Sequence, residues 1–339
     1  MVLKCIFVIA GGFLTTYLVT PLVARIMQEK GIVRPDVHKP GEPQIPTLGG
    51  LAIYAGLIVS TLLAFFIYQK YSIQLTVVVS TATILLITGV VDDLIILKGR
   101  MKTVLTVIAI IPTIVVGFLY PQETGLWIKY RPLVPLVGAL RLTIIYWLLM
   151  PLAIAGPANA MNMFDIFNGL MTTAGIIAST ALFLSAFFLG NDMALILLAI
   201  LLGSLLGFLP YNKYPSKVFA GDCGGLLVGG VIGVTAVLSK MEFIALVALM
   251  PQILNAFYIV SSIKGFVEHR KIKNKPTIIL PDYKMKASRD PNAPITLTRL
   301  ILLFGGDANE RELIKAFTYV QLFSAILAII SAFLLKIKI

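Results

Sequence analysis

Apolar stretches of about twenty residues recur along most of this chain, and few folds can absorb them. Candidates lie at 3–25, 47–69, 74–91, 103–121, 141–157, 170–189, 193–210, 224–239, 242–264 and 315–336. A helix crossing a bilayer needs about 20 such residues, so each stretch is read as one span. Pro151 and Gly207 interrupt the fifth and the seventh. Composition agrees: 58% of residues are hydrophobic and 13% charged, where a soluble domain carries about 45–50% and about 25%. Mean hydropathy is +0.94. Lipid must therefore solvate much of the surface. The first stretch, to Met27, is too long for a signal-peptide core and lacks a small-residue cleavage site, so it is expected to be a span. The expectation is an all-α polytopic membrane protein of about ten transmembrane helices, forming a single integral membrane domain over 1–339.

Ten spans put both termini on one side and sort the connecting loops into two sets. One set comprises 25–46, 92–102, 158–169, 211–223 and 264–315, and it holds four, three, none, two and eleven Lys and Arg, 20 in total. The other set, with both termini, holds the remaining eight of 28. The positive-inside rule then puts the five loops in the cytoplasm and both termini outside. Orientation also accounts for the net charge of +12 better than nucleic-acid binding does, since the cations are not gathered on one arm. The outer segment 121–141, with Trp127, Tyr130 and several prolines, suits an interfacial hairpin or short helix. Cys5 and Cys223 lie 218 residues apart with no metal or redox spacing and are expected to pack as small hydrophobes.

Asp36, Asp92, Asp93, Asp165, Asp222 and His269 all fall in or beside the cytoplasmic set. Asp92-Asp93 closes the third span. Successive helical residues point about 100° apart, so the pair should take distinct roles. One would lie near a metal or a proton to be removed, and the other would orient or pair with a base. The plainer alternative is a polar membrane edge followed by the basic stops Lys98, Arg100 and Lys102, although acids at such an edge are costly unless partnered. In the run from Asn159 to Leu170, helical spacing would project Asn159, Asn162 and Asp165 to one side. Such oxygen donors suit a hard cation such as Mg²⁺. Asn168-Gly169 reads as a turn, and the alternative for the run is a capped helix entry.

From Tyr211 to Gly225, the glycines Gly221, Gly224 and Gly225 let backbone approach a ligand, or equally let helices pack closely. Asp222 stands at the mouth of a span. Glu268-His269-Arg270-Lys271, with Lys273 and Lys275, suits a pyrophosphate or an anionic headgroup, or marks a positive-inside run. With two histidines in the chain, a mechanism needing a histidine cluster is excluded. Asp36-Val37-His38-Lys39-Pro40 is a polar loop leading to Pro46-Thr47-Leu48-Gly49-Gly50, a glycine-softened helix start. P-loop, zinc-protease and nucleophile-elbow motifs are missing. Acids and amides for Mg²⁺, bases for phosphates and a membrane on the same face suit phosphoryl transfer between a soluble nucleotide and a lipid acceptor. A transporter is the rival class, but the acids lie at one face rather than at mid-depth and no repeat relates the halves.

Pro46 to Gly50, Asp92-Asp93, Asn159 to Leu170 and Phe219-Ala220-Gly221-Asp222, in this order, resemble the polyprenyl-phosphate N-acetylhexosamine-1-phosphate transferases. The resemblance covers nearly the whole chain. It is greatest to the eukaryotic and archaeal UDP-GlcNAc–dolichyl-phosphate GlcNAc-1-phosphate transferases, through Asn212 to Phe219 and Leu300 to Leu313. Thr47 stands where the eukaryotic enzymes usually have Glu, Asp165 matches the bacterial branch, and Glu268-His269-Arg270 replaces Arg-His-Arg. The resemblance implies Mg²⁺ (or Mn²⁺) on Asn162, Asp222 and Asp165, with Asp92, Asp93 and Asp222 catalytic. It implies substrate binding by Thr47, Lys102, Asn159, Asn168, His269 and Arg270, with Lys102 at the pyrophosphate and Asn168 by the uridine. The implied partners are UDP-GlcNAc, dolichyl or another polyprenyl phosphate and the lipid bilayer, with no nucleic acid and with a homodimer left open. The implied reaction releases UMP and opens lipid-linked oligosaccharide assembly for N-glycosylation. The membrane would be the cell membrane of a prokaryote or the endoplasmic reticulum of a eukaryote. A bacterial-type transfer to undecaprenyl phosphate is the alternative.

Overall fold

The computed structural model describes residues 2–124, 126, 132–140, 143–263, 265 and 274–336. It is almost entirely helical. Helix α1 (Val2–Glu29) leads into a hairpin of β1 (Val33–Pro35) and β2 (Gln44–Pro46), and then into α2 (Gly50–Ile67) and α3 (Ser72–Ile95). Helices α4 (Gly99–Ile108) and α5 (Ile111–Leu119) form one apolar run. A short helix α6 (Pro121–Thr124) and a hairpin of β3 (Leu133–Val134) and β4 (Gly138–Ala139) follow. This fits the hairpin and short helix expected at 121–141; Trp127 and Tyr130 lie outside the described residues. Helices α7 (Thr143–Asn162), α8 (Leu170–Leu189), α9 (Asp192–Asn212), α10 (Gly221–Ser239), α11 (Glu242–Ala248) and α12 (Met250–Ser262) come next. The chain then forms a hairpin of β5 (Thr277–Ile279) and β6 (Met285–Ala287), followed by α13 (Leu297–Gly305) and α14 (Glu310–Lys336).

Among the described residues, eight helices are long and apolar enough to cross a bilayer, or nine if α11 and α12 are one bent span. Helix α7, with 20 residues, stands where the fifth crossing is expected and is about 30 Å long at 1.5 Å per residue. The protein is a multi-pass membrane protein. Two expected interruptions do not occur: α9 runs unbroken through Gly207 and Pro210, and α7 continues through Pro151 and Pro157. In lipid, neighbouring helices can compensate for the hydrogen bonds a proline removes.

Helix α10 is the hub, almost wholly buried and packed against α2, α3, α7 and α9. Its glycines at 225, 229 and 233 face α7. A Cβ there would meet Asn162 Cα at 2.7 Å, Pro157 O at 2.1 Å and Ala153 O at 2.4 Å. The stripe lets two backbones touch, as small residues do between membrane helices.

The stretch expected as one span at 242–264 is two helices, α11 and α12, meeting at 73°. Pro251 explains the break, because it cannot donate to the carbonyl of Val247 four residues earlier. Helix α14 repairs the damage. Ser324 Oγ donates to Val247 O, and Gln321 Nε2 donates to Ala248 O at 2.9 Å. Gln321 Oε1 in turn accepts from Gln252 Nε2 at 2.7 Å. All three side chains are buried, where an unpaired polar group costs about 1–3 kcal/mol. Gln321→Leu should therefore lower the thermal unfolding midpoint in detergent and weaken protection of the α11–α12 junction in hydrogen exchange. An unchanged midpoint and junction would sink this account.

Candidate active site

The functional side chains sit at helix ends gathered at one end of the bundle. Asp92 and Asp93 end α3, Asn162 ends α7, Asp222 begins α10, Glu310 begins α14 and Thr47 precedes α2. Backbone pairing draws two of the motifs together. Phe219 N donates to Pro46 O at 2.8 Å, Gly49 N to Phe219 O at 2.9 Å and Gly50 N to Ala220 O at 2.8 Å.

Asp93 then sets the height of Asp222. Its carboxylate accepts from the backbone N–H of Asp222 and of Cys223, both at 3.1 Å. It thus caps the first turn of α10, where free N–H groups and the helix dipole favour an anion. Two glycines make the approach possible. A Cβ on Gly89 would stand 2.2 Å from Cys223 Cα, and one on Gly221, whose φ is +74°, would stand 2.6 Å from Asp93 Oδ2. Asp92 points elsewhere: its Oδ1 accepts from Leu97 N at 2.7 Å and its Oδ2 pairs with Lys102 Nζ at 2.6 Å. Lys102 also reaches Asp222 Oδ1 at 2.8 Å.

A cavity of about 260 Å³ opens here, lined by Thr47, Asp93, Asn162, Asp165, Asn168 and Asp222, with Arg34 and His38. Helix α7 stops at Asn162, so the regular three-residue helical spacing does not extend to Asp165. Asn162 and Asp165 still share the cavity. Asn159 does not join them: its amide donates to Thr106 Oγ1 on α4 and to Ala155 O, both at 2.8 Å. His269 and Arg270 lie outside the described residues.

Asn168 is bonded to several protein groups. Its Oδ1 accepts from Ser216 N at 2.7 Å and Lys39 Nζ at 2.6 Å, its Nδ2 donates to Asp36 Oδ2 at 3.1 Å, and its backbone N–H donates to Glu310 Oε1 at 2.9 Å. Lys39 pairs with Asp36 and, at 3.4 Å, with Glu310. Asp36, His38 and Glu310 also offer ligand atoms within 4.8 Å of one another. The Lys39 ammonium stands between those two acids, and burial holds the His38 imidazole below its ordinary pKa. Sequence reading assigned no site role to Arg34 or Lys39 and attached Glu310 to no partner. Glu310 is 142 residues from Asn168, beyond any local signal.

The same cavity, which Asp36 and His38 also line, holds a second group of acids. Asp165 is pushed up to about 7, first by burial and then by the negative charges of Asp222 and Asp93. Such crowding of carboxylates calls for a cation. Carboxylates with an amide oxygen form the donor set of a hard divalent ion, so the residues fit one.

The sequence model of glycosyl transferase family 4 matches residues 75–240, a stretch that holds Asp92, Asp93, Asn162, Asp165 and Asp222. Over that stretch the chain is similar to the family. Among the chain's relatives, a Saccharolobus solfataricus protein is 28% identical over 233 residues, 68% of this chain and 70% of its own. It is provisionally named a UDP-N-acetylglucosamine–dolichyl-phosphate N-acetylglucosaminephosphotransferase. A Bacillus subtilis protein, provisionally named an undecaprenyl-phosphate N-acetylglucosaminyl 1-phosphate transferase, is 29% identical over 273 residues, 80% of this chain and 73% of its own. The phospho-N-acetylmuramoyl-pentapeptide-transferase of Halalkalibacterium halodurans is 27% identical over 267 residues, 76% and 81% of the two chains.

The position of Asp165 gives a pH signature. With its pKa near 7, the carboxyl must lose a proton on the acid side before it can hold a cation. Mn²⁺ affinity, measured without substrate from the free-ion spin-resonance signal, should rise about tenfold between pH 6 and pH 8 and then level off. Asp165→Asn should flatten that profile. A wild-type profile that is already flat removes Asp165 from the cation site.

Proposed function

We propose that this protein moves GlcNAc-1-phosphate from UDP-GlcNAc to a polyprenyl phosphate, dolichyl phosphate by preference, and releases UMP. One observation carries the reading: residues of four of the five loops line one polar cavity, and Glu310 of the fifth bonds to Asn168 in its wall. The contacts that join them are Arg34 to Asp93, Lys102 to Asp222, and Lys39, Ser216 and Glu310 to Asn168. A site at a helix-bundle end can take a water-borne nucleotide sugar from one side and a lipid phosphate from the bilayer. The loop charge asymmetry supports a cytoplasmic site with both termini outside.

Asp222, Asn162 and Asp165 would hold Mg²⁺, which supplies charge neutralisation at the phosphates when bound. A phosphate oxygen of the lipid attacks the β-phosphorus of UDP-GlcNAc. The bond from that phosphorus to the oxygen bridging the two phosphates breaks, and the electron pair leaves with UMP. A phosphate oxygen is already anionic at neutral pH, so attack needs no enzyme-bound intermediate. Lys102, shared between Asp92 and Asp222, keeps a cation beside the departing negative charge. The carboxylates of Asp92 and Asp93 are spent on protein groups. Their part in this reading is to position Lys102 and Asp222, and Asn168 likewise braces the loop. His269 and Arg270 remain proposed phosphate or sugar contacts.

Purified protein with UDP-GlcNAc, dolichyl phosphate and Mg²⁺ should release UMP, and replacing the acceptor with undecaprenyl phosphate should lower kcat/KM. A higher value with undecaprenyl phosphate would assign the acceptor to the bacterial type. Asp222→Asn should cut turnover by roughly a hundredfold or more. No UMP with any sugar nucleotide or polyprenyl phosphate would end the transferase reading.

A further inference from the structure

Three cations stand around the cavity, and their engagements differ. Lys102 is divided between two carboxylates, Asp92 and Asp222. Lys39 donates hydrogen bonds to Asp36 and Asn168 and forms an ion pair with Glu310. Arg34 is held in another way. Its Nη2 donates at 2.8 Å to the main-chain carbonyl of Asp93, and among the described residues it makes no ion pair with a carboxylate.

A guanidinium has five N–H donors in a rigid fork and keeps its charge at every physiological pH. The bond to Asp93 O uses one donor and fixes the group at the rim of the cavity that also holds Asp222 and Thr47. The backbone supports the placement: Arg34 lies on β1, paired with Ile45 on β2, in a hairpin that runs directly into Thr47. The carbonyl it caps is one of the last of α3, so part of its role is to satisfy a helix end. That task leaves most of the fork unspent. Partly exposed charge beside a polar cavity, without a carboxylate of its own, is the state of an anion receptor awaiting its anion.

We propose that Arg34 is a phosphate-binding residue of the cavity and takes two oxygens of one phosphate group through its free donors. The phosphate is either the terminal group of the lipid acceptor or part of the diphosphate of the nucleotide sugar. The inference rests on the transferase reading and adds to it a residue that lies outside the family-matched stretch.

Steady-state UMP release by wild type, Arg34→Gln and Arg34→Lys, with each substrate varied in turn, tests the proposal and separates the two sources. Arg34→Gln should raise the KM of one substrate by about tenfold or more, the loss expected for a charge-assisted pair of hydrogen bonds, while kcat changes less. The substrate whose KM rises identifies the phosphate. Arg34→Lys, which keeps the charge and loses the fork, should fall between the two. Both KM values within twofold of wild type would overturn the proposal. So would a KM increase accompanied by a matching fall in the unfolding midpoint, since that is the mark of a helix cap alone. Calorimetric titration with inorganic pyrophosphate keeps the test independent of turnover: Arg34→Gln should bind it about tenfold more weakly, and equal binding would overturn the claim. A wild type that binds pyrophosphate through Arg34 but releases no UMP would count against the transferase reading and leave Arg34 as an anion site.

Discussion

The carboxylate of Asp93 is the point on which this architecture turns. It takes the first free N–H groups of the central helix α10 from a position on α3, and so it fixes two helices and the reactive end of one with the same bonds. An end-on cap from another helix is worth about 0.5–2 kcal/mol by the scale of ordinary caps. Its larger effect is geometric. Asp222 is the next side chain along, and its carboxylate is held where Asn162, Asp165 and Lys102 can address it. Removing Asp93's bonds would leave α10 free to slide along the glycine faces that let its neighbours come so close.

Around that point the charges are arranged in two groups with different economies. Asp36, Lys39, Glu310 and Asn168 form a cross-linked set that joins three loops. It is a brace. Asp93, Asp165 and Asp222 form an open set in which acids outnumber the cations that answer them, and the pKa of Asp165 registers the imbalance.

Much of the fold can be read from hydropathy and charge alone, because a bilayer imposes a fixed length and a helical backbone on each crossing. Thr47, Asp92-Asp93, Asn162, Asp165 and Asp222 could be singled out because acids and amides are conspicuous against apolar spans. Their division of labour was not visible. Nothing local to Asp93 reveals that its partners are 129 and 130 residues away, and nothing near Asn159 reveals that it turns toward Thr106. Arg34 looked like one more positive-inside charge, since its neighbour Asp93 comes into view only in three dimensions. The break at Pro251 was legible in principle. Its direction was not, because the repair comes from Gln321 and Ser324 on α14.

The brace around Asn168 also bears on how the protein is made. It ties the first loop, through Lys39 and Asp36, to the 163–169 turn, and both to Glu310 at the start of the last described helix. A nascent chain that has inserted α1 to α12 therefore still lacks one corner of its own site. The loop that carries Asn168 gains its final partner only when α14 has entered the bilayer. Assembly of the site is thereby tied to the end of membrane insertion, and a chain stalled before that step is left with the backbone N–H of Asn168 unpaired.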